Sequence, residues 1–367
     1  MAVSRGSSRT RGRSDRDSMH PTKSLPALCC LLLLSTACTS PTRGALRAYE
    51  RGEFQLARTV WTTEAETGDV EAAFLLGLVY DEGTGVLEDD GVAEGWYRQA
   101  AEAGHPAAMN NLGLLLYSGD GVEEDHSAAH EWFTLATEED FAPAWTNLGV
   151  TFLFGHGCVQ DPERARECFE SAAEGGDAKG KYLLASAYSD EDQGLLAFAW
   201  FEEAAEAGHA PSQLQVGRML WRGEGTATDR RAAVAWFERA ANNGSAEAQF
   251  LMGMARLNGH EGARTTIPAA SWLEAAADQG HAGAQFQLGL ILVRGSQGFD
   301  CDPDSAFTWF SAAAEQGLPA AQFNLGLLLA RGEGCERDEE AAMEWLRLAA
   351  DQGHEGAGLR LRRLENR

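Results

Sequence analysis

Three things are scarce in this 367-residue sequence: basic charge, cysteine, and long apolar runs. Lys and Arg number 30 against 55 Asp and Glu, for a formal charge of −25. Six basic and two acidic side chains fall within residues 1–37, so the remainder carries −29. Phosphate binding needs clustered Lys and Arg, and this balance argues against a nucleic-acid partner. The acidity itself reads as a solvated, soluble surface. Seven cysteines do not make a disulfide framework. The longest apolar stretch near the start, Leu25 to Leu34, is interrupted by Pro26 and is too short to cross a bilayer, which takes about 20 residues. With 44% hydrophobic residues the chain can nevertheless bury a continuous core.

That apolar stretch, preceded by Arg and Lys and followed by Ser35-Thr36-Ala37-Cys38, has the build of a signal peptide over 1–37. Its end resembles a bacterial lipobox, in which a small residue precedes a Cys that is lipidated and becomes the new N-terminus. Ser35 departs from the leucine usual three residues before that Cys, and an ordinary signal peptide with an incidental Cys38 is the alternative. Met1 and Met19 are both candidate starts. The resemblance implies a lipid (palmitate-bearing) anchor on Cys38, a short linker over 38–43, and no other contact with the membrane. Thr39 in place of Asp would direct the protein to the outer membrane, facing the periplasm, by the enterobacterial sorting rule.

Outside the leader, Cys158, Cys168, Cys301 and Cys335 remain. Cys301 and Cys335 stand in equivalent turns of neighbouring segments and form a candidate disulfide, although sequence cannot supply the Cα separation a bridge needs. Cys168 reads as a small core residue.

What the chain has in abundance is repetition. An aromatic marker recurs at Trp61, Trp96, Trp132, Trp200, Trp236, Trp272, Trp309 and Trp345, with Cys168 in the same slot. The spacings are 35, 36, 36, 32, 36, 36, 37 and 36 residues, a period that suits stacked helix-turn-helix units. Alanine stands three residues before the marker in eight copies, from Ala93 to Ala342, and small or apolar residues follow it by one, four and five. Those offsets share one face of a helix, here termed helix B. Asp89, Asp125, Asp161, Asp229, Thr265, Asp302 and Asp338, seven residues before the marker, are predicted N-caps. Gly104, Gly208, Gly244, Gly280, Gly317 and Gly353 close helix B. The preceding helix A centres on a small residue, Gly77, Gly113, Gly149, Ala185, Gly217, Gly253, Gly289 or Gly326. Glycine costs about 1 kcal/mol of helix propensity there, which predicts close approach of a neighbouring helix. Gly-x-Gly pairs such as Gly155/Gly157 follow helix A and read as turns, because a phosphate-binding loop would follow a strand.

Two units deviate. The one ending at Trp200 is four residues short and has Ser189 to Gln193 in place of a glycine pair, which should tighten or bend the array locally. The first, 44–69, looks like a tetratricopeptide-type hairpin. The stretch 355–367 starts another helix A, turns basic at Arg360, Arg362 and Arg363, and reads as a polar C-terminal cap.

With A-x-x-x-L-G in helix A, G-x-G in the turn and A-x-x-W-[FY]-x-x-A-A-x-x-G in helix B, the chain resembles the Sel-1-like repeat family, a relative of the tetratricopeptide repeats. The resemblance covers about 70–357, with eight repeats over 70–354. It implies an all-α fold, a right-handed α/α superhelical solenoid of about nine hairpins, with a concave face lined by the A helices and used for protein–protein interaction. It does not name the partner.

No catalytic constellation emerges. His105, His209, His281 and His354 follow the helix-ending glycines one per repeat, too far apart to share an ion. His126, His130 and His156 are the others close in sequence. Some cysteine-rich members of the family are linked to β-lactam binding or hydrolysis. This chain lacks their cysteine pair in every repeat and has no Ser-x-x-Lys motif. No metal, cofactor or small-molecule substrate is expected. The candidate binding residues are amides on helix A, Asn111, Asn147, Gln215, Gln287 and Asn324, with Gln213, Gln249, Gln285 and Gln322 two residues earlier. Recurring once per repeat, they could grip the backbone of an extended peptide, or serve only as contacts between A helices. The preferred expectation is a non-enzymatic scaffold or adaptor in the bacterial cell envelope. An envelope hydrolase or β-lactam-binding protein, and a secreted effector engaging host proteins, are the alternatives.

Overall fold

The computed structural model describes residues 41–259, 268–296 and 299–365. The leader, Cys38 and Thr265 lie outside the described residues. Nineteen helices follow one another with no strand among the described residues. They pair as α1 (Pro41–Glu50) with α2 (Phe54–Glu66), α3 (Val70–Asp81) with α4 (Asp90–Glu102), and α5 (Pro106–Ser118) with α6 (His126–Glu138). Next come α7 (Ala142–Phe154) with α8 (Pro162–Glu174), α9 (Ala178–Asp190) with α10 (Gly194–Glu206), and α11 (Ala210–Arg222) with α12 (Arg230–Asn242). Then follow α13 (Ala246–Leu257) with α14 (Ala269–Asp278), α15 (Ala282–Arg294) with α16 (Pro303–Glu315), and α17 (Pro319–Arg331) with α18 (Glu339–Asp351). A last A helix, α19 (Glu355–Glu365), packs on α18. Odd numbers are A helices and even numbers B helices, an α/α solenoid arrangement. The chain divides into two compact units at Ala204/Ala205, within α10, the B helix of the shortened repeat.

The helix ends are set by side chains the sequence marks. Asp89, Asp125, Asp161, Asp229, Asp302 and Asp338 each accept a hydrogen bond from the backbone N–H three residues on. At the other end, Gly104, Gly244 and Gly353 sit at φ +91°, +88° and +87°. A left-handed residue there closes the helix without the Cβ penalty.

The glycine inside helix A is a seat for a ring. The residue after the marker is a buried ring at Tyr97, Phe133, Phe169, Phe237 and Phe310. A Cβ on Gly113 would stand 2.7 Å from Cε1 of Phe133, and one on Gly289 2.7 Å from Cε1 of Phe310. The close approach that the sequence predicts is therefore made by the repeat's own B-helix side chain. The marker tryptophans Trp96, Trp132 and Trp236 are only half-buried beside it. In the first pair Trp61 itself is fully buried and donates Nε1–H to the Thr42 carbonyl at 3.1 Å.

In four turns the second glycine, Gly85, Gly121, Gly157 or Gly334, joins one repeat to the one before. Gly121 faces Asp90 at the start of α4, and Gly157 faces the carbonyl of His126 at the start of α6. No side chain fits at that contact.

Candidate interaction face

The amides on helix A divide into two groups. Asn111 and Asn147 are 2% and 1% exposed. Asn147 donates from Nδ2 to Asn110 Oδ1 at 2.8 Å, Asn110 donates to Asn111 Oδ1 at 3.3 Å, and Asn111 donates to the Tyr97 hydroxyl at 3.3 Å. Tyr97 in turn donates to Asp81 Oδ2 at 3.0 Å. This buried chain ties α7, α5, α4 and α3 together, and burial together with the Asp81 charge raises the Tyr97 hydroxyl well above its ordinary pKa. A peptide cannot reach Asn111 or Asn147, so these two belong to the core and not to a binding ladder. The physical reason lies in the packing: in unit 1 neighbouring helices supply Tyr97 to Asn111 and Asn110 to Asn147, and a satisfied buried amide is stable. Gln215, Gln287 and Asn324, at the same helix position in the second unit, are half-exposed. Asn324 donates to the Ala320 carbonyl of its own helix at 2.7 Å.

The amides two residues earlier are structural. Gln213, Gln249, Gln285 and Gln322 are buried and donate to carbonyls near the end of the preceding B helix, at Ala205, Ala241, Ala277 and Ala314. Each then accepts from an amide ending its own repeat's B helix, Asn243, Gln279, Gln316 or Gln352, at 2.7–2.9 Å. One glutamine thus satisfies a C-terminal carbonyl that helix geometry leaves without an intrahelical partner.

The recurring histidines are the N-caps of the A helices. His105, His281 and His354 accept through Nδ1 from the N–H of Ala108, Ala284 and Ala357 at 3.1–3.3 Å. Nδ1 must be unprotonated to do so, which places the proton of the neutral ring on Nε2. In His105 and His281 that nitrogen faces Glu71 and Glu247 at 3.3 and 3.0 Å. The three rings stack on Phe74, Phe250 and Phe323 at 4.4–4.5 Å. Asp69, Asp177 and Ser245 hold the same capping position. The signal in sequence is the polar residue that directly follows Gly104, Gly208, Gly244, Gly280 and Gly353; after Gly317 stands Leu318, which makes no side-chain cap.

Of His126, His130 and His156, the first and last meet. His126 and His156 stack at 4.7 Å, Tyr117 bonds His156 Nδ1 at 2.6 Å through its hydroxyl, and His130 Nδ1 lies 2.8 Å from Thr151 Oγ1. Among the described residues no group of three or more His, Cys, Asp or Glu is placed to hold a metal ion.

Cys301 and Cys335 are unbridged, and all four described cysteines carry free thiols. The candidate pairing is therefore corrected: each thiol turns to a backbone carbonyl, Cys301 to Val293 and Cys335 to Glu333. Burial pushes the Cys168 thiol up to about 12, and raises Cys158 and Cys335. Only the thiolate is nucleophilic. Iodoacetamide at pH 8 should therefore modify exposed Cys301 first and leave Cys168 untouched in the folded protein, as peptide mass spectrometry will show. Fast labelling of Cys168 under native conditions would contradict the packing described.

Paired helices of 10–13 residues, with recurring caps and ring seats, define a helical-repeat protein. Eight consecutive segments match the Sel1 repeat: 70–105, 106–141, 143–177, 180–209, 210–245, 246–281, 282–318 and 319–354. The chain belongs to the Sel1 repeat family. Among solved structures it is similar to a protective antigen of uropathogenic Escherichia coli displaying an SLR fold, at 28% identity and TM-score 0.59, over 88% of this chain and 78% of that one. It is also similar to a Sel1 repeat protein from Oxalobacter formigenes, at 26% identity and TM-score 0.58, over 93% of this chain and all of the other. No curated protein matches the chain. Sel1 repeat proteins are in general non-catalytic scaffolds for protein interaction.

Proposed function

We propose that the protein is a non-enzymatic scaffold or adaptor of the bacterial cell envelope. In this reading a lipid on Cys38 tethers it, and a partner protein or peptide binds along the A helices. The observation that carries the interaction role is that the recurring Asp, Gly and Gln residues, and most of the recurring His, already serve the fold as caps, turns and carbonyl partners. What the repeat leaves outward is surface, with Gln215, Gln287 and Asn324 as half-exposed amides on three A helices. The tether rests on the sequence alone, on the apolar stretch ending in Thr36-Ala37-Cys38.

The test has two arms. Metabolic labelling with a palmitate analogue should mark the wild type and not Cys38→Ser, and the variant should leave the membrane fraction. In-cell crosslinking with mass spectrometry should recover a discrete partner, lost when Gln215, Gln287 and Asn324 are all changed to Ala while helical content and melting are unchanged. Partner capture that survives the triple change removes the amide face from the reading, and an unlabelled Cys38 removes the tether.

A further inference from the structure

Internal repeats provide their own control: a residue the fold requires recurs, and one that departs from the pattern needs another reason. One residue beyond the ring seat of helix A, six of the eight copies are apolar, Leu114 and Met254 among them. Helix α11 has Arg218 there, followed by Trp221 and Arg222 four and five residues beyond the seat. At those two positions α5 has Tyr117 and Ser118, and α7 has Leu153 and Phe154. Only α11 combines two arginines with a tryptophan.

These residues line a cavity of about 310 Å³ between α11 and α13 in the second unit, with Phe237, Leu251 and Met254 as its apolar lining. That volume is at the lower limit of ligand cavities, which run roughly 300–1,000 Å³, and suits one or two side chains more than a cofactor. The two arginines are differently engaged. Arg218 donates to Glu247 at 3.0 Å, and Glu247 also receives His281 at 3.0 Å. The His281 hydrogen bond and the Arg218 charge hold that carboxyl below its ordinary pKa, so Glu247 is ionised and Arg218 balances it. Arg222 has only a 3.6 Å pair with Glu224 in which both side chains are more than half exposed. Such a pair is worth about 0–1 kcal/mol and yields readily to a competing carboxylate. Arg230 lies over the Trp221 ring at 5.4 Å, adding a third cation beside the cavity.

The charge around the cavity is also the reverse of the chain's. Residues 210–259 hold six Arg and four acidic side chains, a balance of +2 within a protein of −25. Helices α15 and α17 carry Arg294 and Arg331 at the position of Arg222, each in the last turn. On α13, between Arg222 and Arg294, the same position is Asn258, so Arg222 is the cation that a peptide seated at this cavity would meet first.

We propose that this cavity is the docking site for an acidic peptide segment of a partner protein. An apolar side chain of the segment seats between Trp221 and Met254, and a neighbouring carboxylate pairs with Arg222. The inference rests on the scaffold reading and gives its partner a chemistry.

The experiment uses the full chain and a fluorescein-labelled, end-capped pentapeptide, Asp-Glu-Phe-Glu-Asp, read by fluorescence anisotropy. Saturable binding is expected, weakening at least tenfold with Arg222→Glu and falling as salt is raised. The Asn-Gln-Phe-Gln-Asn counterpart should not bind. Arg222 is exposed, so its substitution should leave melting unchanged; Trp221→Ala, expected to weaken binding by a similar factor, tests the apolar seat separately. Equal binding of the neutral peptide, indifference to Arg222→Glu, or no saturation at millimolar peptide overturns the proposal. If crosslinked partner capture then persists in Arg222→Glu protein, the scaffold reading stands and only this site falls. If capture is absent from wild type as well, both fall.

Discussion

Gly157→Ala is expected to destabilise the first unit by about 3–5 kcal/mol, more than most single methyl groups could. Two costs add. The residue sits at φ +73°, where a non-glycine residue is strained by about 1–3 kcal/mol. The new Cβ would also fall on the carbonyl of His126, at the contact between the α7–α8 turn and the start of α6. Backbone cannot move aside as a flexible side-chain tip can, and such overpacking costs about 1–3 kcal/mol or more. Gly104 isolates the first cost: φ is +91° and no atom lies within 4 Å of a Cβ built there. Urea unfolding followed by far-ultraviolet circular dichroism should show Gly104→Ala losing roughly 1–2 kcal/mol. Equal losses for the two variants would show that the inter-repeat contact carries no weight.

The second large effect is an interaction between two positions. Gly113→Ala should gain about 1 kcal/mol of helix propensity, yet the net change is expected to be a loss of about 2 kcal/mol, because the methyl meets the Phe133 ring. Phe133→Ala alone should cost about 3–5 kcal/mol, the price of a fully buried ring and its cavity. Together, the added methyl enters the space the ring vacates. The double variant should then be less damaged than the sum of the singles by about 1–3 kcal/mol, as contacting residues show in such cycles. Strict additivity would mean the glycine is not the ring's seat.

Periodic features were legible in the sequence because they are local. An aspartate one turn ahead of an alanine stripe, or a glycine just after it, acts on backbone groups within a few residues and needs no knowledge of the fold. The amide column was not legible for the opposite reason. Asn111 and Gln215 occupy the same helix position, but Asn111 is buried and bonds the Tyr97 hydroxyl, a partner that comes from the preceding B helix. The recurring histidines are legible as a repeat feature that follows a helix-ending glycine; their capping role is not, because it belongs to the first turn of the next helix. The pairing of Cys301 with Cys335 failed similarly, since equivalent turns put two thiols in corresponding places without turning them toward each other.

The seating of each B-helix ring on the glycine of its own A helix has a mechanical consequence. A hairpin holds its largest buried side chain internally, so a pull on the chain's ends can strip one hairpin while leaving the next closed around its own ring. About 36 residues released at about 3.4 Å each lengthen the chain by roughly 120 Å. Under load such an array would therefore extend in even steps of that size, a ratchet of slack that gives way one hairpin at a time.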